Sequence, residues 1–176
     1  MENQTVSSKS IMLNYGAAMG VVSIILAVAV YALGYTYEQH WSVTVLGILI
    51  SVAFIALGLK AYKAGNGGEL KFGQGLKTGV GIALVSTVIY TIYQIAFVTV
   101  IEPEFYNNLL VIQTQTWVDQ GLTPEQIEGA EAMFKKFSNP AMTAGFTIIG
   151  GVFFGFIISL IASAIMKQSN QEISSI

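Results

Sequence analysis

The chain has 176 residues, 53% of them hydrophobic and only 10% charged, with a net charge of −2 and a mean hydropathy of +0.64. Soluble domains carry about 25% charged residues, so a deficit this large, gathered into long uncharged runs, excludes an ordinary soluble domain and places the chain in the membrane class. There is no cysteine and no arginine, which rules out disulfides, Cys-ligated zinc, iron–sulfur clusters and thiol nucleophiles and speaks against a nucleic-acid surface.

Residues 1–9 are polar and end in Lys9. No charge follows until Glu38. A crossing needs about 20 apolar residues, so 11–34 is read as the first span. Ala27-Val28-Ala29 behind Lys9 would also suit a signal peptide, but the apolar run continues to Leu33, which favours a span. Tyr35, Tyr37 and Trp41 flank a short polar link and place it at headgroup level. The second span is 41–59, stopped by Lys60.

The next connection carries Lys60, Lys63, Lys71 and Lys77 against Glu69. Gly65-Asn66-Gly67-Gly68 is a turn signal, and the Gly–Lys spacing does not fit a phosphate loop. Leu70, Phe72 and Leu76 alternate with polar residues, so a short interfacial segment is expected there. Its lysines suit anionic headgroups. The third span is 78–101 and the most polar, with Ser86, Tyr90 and Gln94 on one face. The fourth is 140–166, opened by Asn139-Pro140 as cap and first helical residue and closed by Lys167.

Between the last two spans lies the only long stretch not built for lipid, 102–139. It holds six of the ten carboxylates: Glu102, Glu104, Asp119, Glu125, Glu128 and Glu131. Pro103 ends or bends span three. A helix is expected over Phe105–Gln120, with Tyr106, Leu109, Leu110, Gln113 and Trp117 on one stripe and Gly121 as its C-terminal cap. Thr123-Pro124-Glu125-Gln126 starts a second helix, with Ile127, Ala130, Phe134 and Phe137 on its stripe. The expectation is an amphipathic helical hairpin whose apolar stripes need cover from each other, the membrane surface or a partner.

Lysine counting sets the orientation. With the N-terminus inside, Lys9, Lys60, Lys63, Lys71, Lys77 and Lys167 are cytoplasmic, and only Lys135 and Lys136 lie outside. That satisfies the positive-inside rule. Both termini are then cytoplasmic and the hairpin is extracytoplasmic.

Several motifs now fall in a recognisable order: Gly67-Gly68, Lys71-Phe72-Gly73-Gln74-Gly75-Leu76-Lys77, Ile101-Glu102-Pro103-Glu104-Phe105, Phe137-Ser138-Asn139-Pro140, and Gly150-Gly151-Val152-Phe153-Phe154-Gly155. As a set they resemble a bacterial family of small four-span inner-membrane proteins known only as a domain of unknown function (DUF4199-like). In that family Asp often stands at the position of Glu102 and a Ser-Pro pair near Asn139; both departures are conservative. The resemblance implies topology and location, with no established activity, so no functional residue is carried over.

No carboxylate, lysine or histidine lies in mid-span, where proton-coupled carriers keep one. Asn14, Tyr90 and Gln94 are the candidate polar intramembrane residues, and interhelical hydrogen bonding is their ordinary use. His40, beside Glu38, would need converging carboxylates such as Glu102 and Glu104 to hold a metal; no metal or cofactor site is called, and no catalytic residue. Gly16/Gly20, Gly75/Gly79 and Gly151/Gly155 are small-residue spacings, which packing within the chain explains about as well as oligomerisation does. Span four, where Gly150, Gly151 and Gly155 sit beside Phe153, Phe154 and Phe156, is the expected outside contact.

The sequence therefore reads as an all-α integral membrane bundle of four spans, one domain over 1–176. The expected function is non-enzymatic: an accessory or scaffold subunit in the bacterial inner membrane, embedded in the lipid bilayer, with a protein partner or a homo-oligomer and no nucleic acid. Candidate partner-binding residues are Tyr106, Leu110, Trp117, Ile127, Phe134 and Phe137. The alternative is a small oligomeric carrier or channel lined by polar residues of spans one and three.

Overall fold

A computed structural model describes residues 7–38 and 40–168. They are helical almost throughout, with one isolated antiparallel bridge, Leu70 to Gln168. The helices are α1 (Ser8–Ala32), α2 (Trp41–Gly65), α3 (Phe72–Ala96), α4 (Phe105–Asp119), α5 (Pro124–Phe137) and α6 (Pro140–Met166). A π-helical segment, Phe97–Ile101, continues α3. α1, α2, α3 with this segment, and α6 are long and apolar enough to cross a membrane.

The chain divides into two compact units, Met1–Tyr90 with Ile148–Ile176, and Thr91–Thr147. In the first unit α3 is the central helix. Gly16 and Gly20 of α1 lie against Val85 and Ile89, close to the backbone oxygens of Ile82 and Ser86. Gly58 of α2 lies against Ile82, and Gly79 of α3 meets Ile55. The pairing of Ser8 with Thr78, of Met12 with Gly81 and of Gly20 with Ile89 makes α1 and α3 run parallel.

The seam between α3 and α6 is a ladder. Gly75 faces Ser163, Gly79 faces Ser159, Ala83 faces Gly155 and Thr87 faces Gly151. Each rung moves four residues up α3 and four down α6, as antiparallel helices at i, i+4 spacing require. Only small side chains occupy the rungs, so the backbones approach closely and gain van der Waals contact, the main adhesive available where lipid removes the hydrophobic drive. Gly151 and Gly155 thus pack within the chain, one of the two uses their spacing allowed, although the sequence reading favoured span four as the outside contact. Gly150 has open space, and Phe153, Phe154 and Phe156 are exposed.

The core proper is small: Ile11, Met19, Ile55, Leu59, Tyr62, Leu70, Ile82 and Ala83. Large apolar side chains such as Val21, Ile25, Leu49, Val52 and Ile161 point outward. In water such a surface would aggregate; against acyl chains it is the ordinary exterior of a span.

Three boundaries differ from the sequence reading. α1 starts at Ser8, three residues early. α2 runs past Lys60 to Gly65, and Lys63 in its last turn suits the negative end of the helix dipole. Lys63 goes further and donates from Nζ to the Met166 carbonyl at the end of α6, at 3.2 Å. The expected interfacial segment at Leu70–Lys77 does not form. Leu70 is fully buried and bridged to Gln168, and α3 begins at Phe72, where Gln74 Oε1 accepts from the Lys71 N–H at 3.1 Å.

Candidate functional site

The second unit gathers most of the chain's unassigned polar chemistry. Its first feature is the π-helical segment. Phe97-Val98-Thr99-Val100-Ile101 includes four consecutive β-branched residues, which crowd an α-helical turn, and it runs into Glu102-Pro103. The Glu102 N–H donates to the Phe97 carbonyl at 2.8 Å, one residue wider than an α-turn. Thr99 Oγ1 donates back to the Ile95 carbonyl at 2.7 Å, a bond that bends helices.

From this widened turn an aromatic chain runs into α4. Ring centroids of Tyr93 and Phe97 are 6.0 Å apart, Phe97 and Phe105 5.9 Å, and Phe105 and Tyr106 5.4 Å, the last two edge-to-face. Such pairs contribute about 0.5–1.5 kcal/mol each beyond area burial. The chain ends on a hydrogen bond: Tyr106 Oη donates to Thr143 Oγ1 of α6 at 2.9 Å. One turn further, Thr147 Oγ1 donates to Gln94 Oε1 of α3 at 2.8 Å. Thr143 and Thr147, four apart on one face of α6, therefore receive one polar group from α4 and one from α3. The sequence reading singled out Gln94 and Tyr106 and missed both threonines; hydroxyls at i, i+4 in the first turns of span four were the available signal.

α4 and α5 lie against each other. Gly121, at φ +77°, ends α4; its N–H donates to Val118 O and that of Leu122 to Trp117 O, the Schellman pattern that a left-handed glycine permits. α5 opens with a full capping box, Thr123 Oγ1 accepting from Gln126 N at 3.3 Å and Gln126 Oε1 from Thr123 N at 2.9 Å. Thr114 Oγ1 of α4 donates to Glu131 Oε1 of α5 at 3.1 Å, and Glu131 Oε2 also pairs with Lys135 at 3.3 Å.

Tyr106, Leu110, Trp117, Ile127 and Phe134 are half-buried, while Phe137 is exposed. The outward apolar residues of α4 are a different set: Val111, Ile112 and Val118. Tyr90 and Gln94 are half-buried; Asn14 is exposed and makes a long contact with Ser10 Oγ, 3.5 Å.

Glu102 and Glu104 have local partners. Asn107 Nδ2 donates to Glu104 Oε2 at 2.7 Å and Asn108 Nδ2 to Glu102 Oε1 at 3.3 Å. In the first unit His40 Nε2 meets Glu38 Oε2 at 2.8 Å, with the imidazole edge-on to Tyr35. Among the described residues no three His, Cys, Asp or Glu side chains converge as a metal site would require. The first unit also buries hydroxyls, Thr78, Ser86, Thr87, Ser159 and Ser163. Ser159 donates to the Gly155 carbonyl at 2.6 Å, and Ser163 Oγ has no partner among the described residues.

Residues 14–168 match the family described as "Protein of unknown function (DUF4199)", and the chain belongs to that family. No curated protein and no solved structure matches it.

Proposed function

We propose that this member of the family is a non-enzymatic accessory or scaffold subunit of a bacterial inner membrane. In this reading both termini are cytoplasmic, and an extracytoplasmic hairpin over 102–139 engages a membrane or envelope protein. The carrying observation is the outward apolar line of α4, Val111 and Val118 two turns apart with Ile112 beside them. α4 is not among the candidate spans, so this line needs cover that lipid around a span would not supply. Tyr106, Leu110, Trp117, Ile127 and Phe134 are half-buried and leave this line as the outward apolar side of α4. Gln94 supports a static role, since its carbonyl is engaged by Thr147 and so acts as interhelical glue.

Purification in mild detergent tests this. A stoichiometric partner chain, lost on Val111→Glu/Val118→Glu substitution, is the expected result; recovery of the protein alone overturns the reading.

The buried hydroxyls along α3 and α6 favour one second reading, an oligomeric carrier or channel. It predicts solute flux in proteoliposomes that Gln94→Leu with Tyr90→Phe abolishes. Under the scaffold reading those changes shift only stability.

A further inference from the structure

α5 ends in Lys135-Lys136-Phe137, and its outward side carries Met133 and Phe137, four apart and 66% and 40% exposed. The first turns of α6 show the same pattern, with Met142 and Phe146 four apart and 43% and 58% exposed. The two pairs meet: the Phe137 and Phe146 ring centroids are 6.4 Å apart. Met133, Phe137 and Phe146 therefore form an apolar ridge that runs from α5 onto a candidate membrane span. All of it lies within the unit Thr91–Thr147.

We propose that the C-terminal end of α5 is a membrane anchor, with Met133 and Phe137 seated at the headgroup–acyl boundary of the bilayer and Lys136 reaching the lipid phosphates. Helix length sets the depth. α6 has 27 residues, about 40 Å at 1.5 Å rise, against roughly 30 Å of hydrocarbon. A centred span overhangs by about 5 Å at each end. Phe146 stands six residues after Pro140, about 9 Å along the axis, so its ring lies a few ångström inside the acyl region. Phe137, one ring contact away, falls at the boundary, where interfacial helices bury their apolar sides.

The charges agree with that depth. Lys136 Nζ is 5.9 Å from the Phe137 ring centroid, so the ammonium stands next to the buried edge and is free to extend toward phosphate. Lys135 is held by Glu131 instead. Glu125 is exposed in the first turn of α5, at the far end from the anchor. The anchor does not rest on the accessory role proposed above and is testable without any partner.

With no native cysteine, single reporters are clean. Met133→Cys and Phe137→Cys, with Phe146→Cys as the lipid reference and Glu125→Cys as the aqueous one, are labelled with an environment-sensitive fluorophore. The purified protein is reconstituted in phosphatidylcholine–phosphatidylglycerol vesicles. Doxyl-labelled acyl chains should quench the Met133 and Phe137 reporters to within about twofold of the Phe146 reporter, as boundary depth requires, while iodide quenches only the Glu125 reporter. Iodide quenching at Met133 without quenching by the acyl label overturns the proposal. Protection of Met133 from both quenchers also overturns it, and assigns the ridge to contact with a second copy.

Discussion

Gly79 stands opposite Ser159 with no room for another carbon, whereas Gly145 has nothing within 4 Å of a built Cβ. The same residue type thus carries opposite expectations along α3 and α6. Gly79→Val should lower the thermal midpoint in detergent by overpacking, a cost of about 1–3 kcal/mol. Gly145→Ala should leave it unchanged or raise it, by up to about 1 kcal/mol, because alanine costs less helix entropy. Equal effects at the two positions would contradict the α3–α6 seam. Ser163 gives a third case: its buried hydroxyl has no partner among the described residues, so Ser163→Ala should be neutral or stabilising. Gln94→Leu, which removes the acceptor of Thr147, should cost about 0.6 kcal/mol, the average for an interhelical bond in a membrane bundle. Small-residue spacing was visible in the sequence at Gly79, through Gly75. Its partner was not, because i, i+4 spacing marks a close approach without saying which helix approaches.

Helix ends obey a different logic, since their signals are local. The Gly121 cap, the Thr123–Gln126 capping box and the Asn139–Pro140 start involve residues within a few positions of one another, and all were legible. Asn139 Oδ1 does accept from Met142 N, at 3.0 Å. Thr123→Ala should cost about 0.5–2 kcal/mol, concentrated in α5. Hydrogen exchange of the α5 amides should accelerate while the amides of α3 keep their rates. The start of α3 was not legible, because its N-terminal turns are stabilised by α6: Gly75 by the contact with Ser163 and Leu70 by the bridge to Gln168. The π-helical turn had a local signal in its β-branched run before Pro103, but register within a helix leaves no trace in hydropathy. Span four hid Thr143 and Thr147 because two hydroxyls barely alter the hydropathy of a 27-residue apolar helix.

For the molecule as a whole, composition and run length carried the membrane class, and the four long apolar helices agree with it. Within the first unit Ser8 meets Thr78 and Gln168 meets Leu70, so α1 begins and α6 ends at the same end of the bundle as the loop that contains Gly67. That is the arrangement an even number of crossings demands. Lysines gather there too, and the orientation proposed above takes it as the cytoplasmic end on the positive-inside rule. Gly67 and Glu128 are separated along the chain by one candidate span, α3 with its π-helical continuation, and should therefore face opposite sides of the membrane. Single cysteines at these two positions, probed in intact spheroplasts with a membrane-impermeant maleimide, decide the matter. Labelling of Glu128→Cys from outside, with Gly67→Cys labelled only after permeabilisation, is the predicted result. Labelling of Gly67→Cys in intact spheroplasts with Glu128→Cys protected would reverse the orientation, and labelling of both from the same side would contradict the four-span arrangement itself.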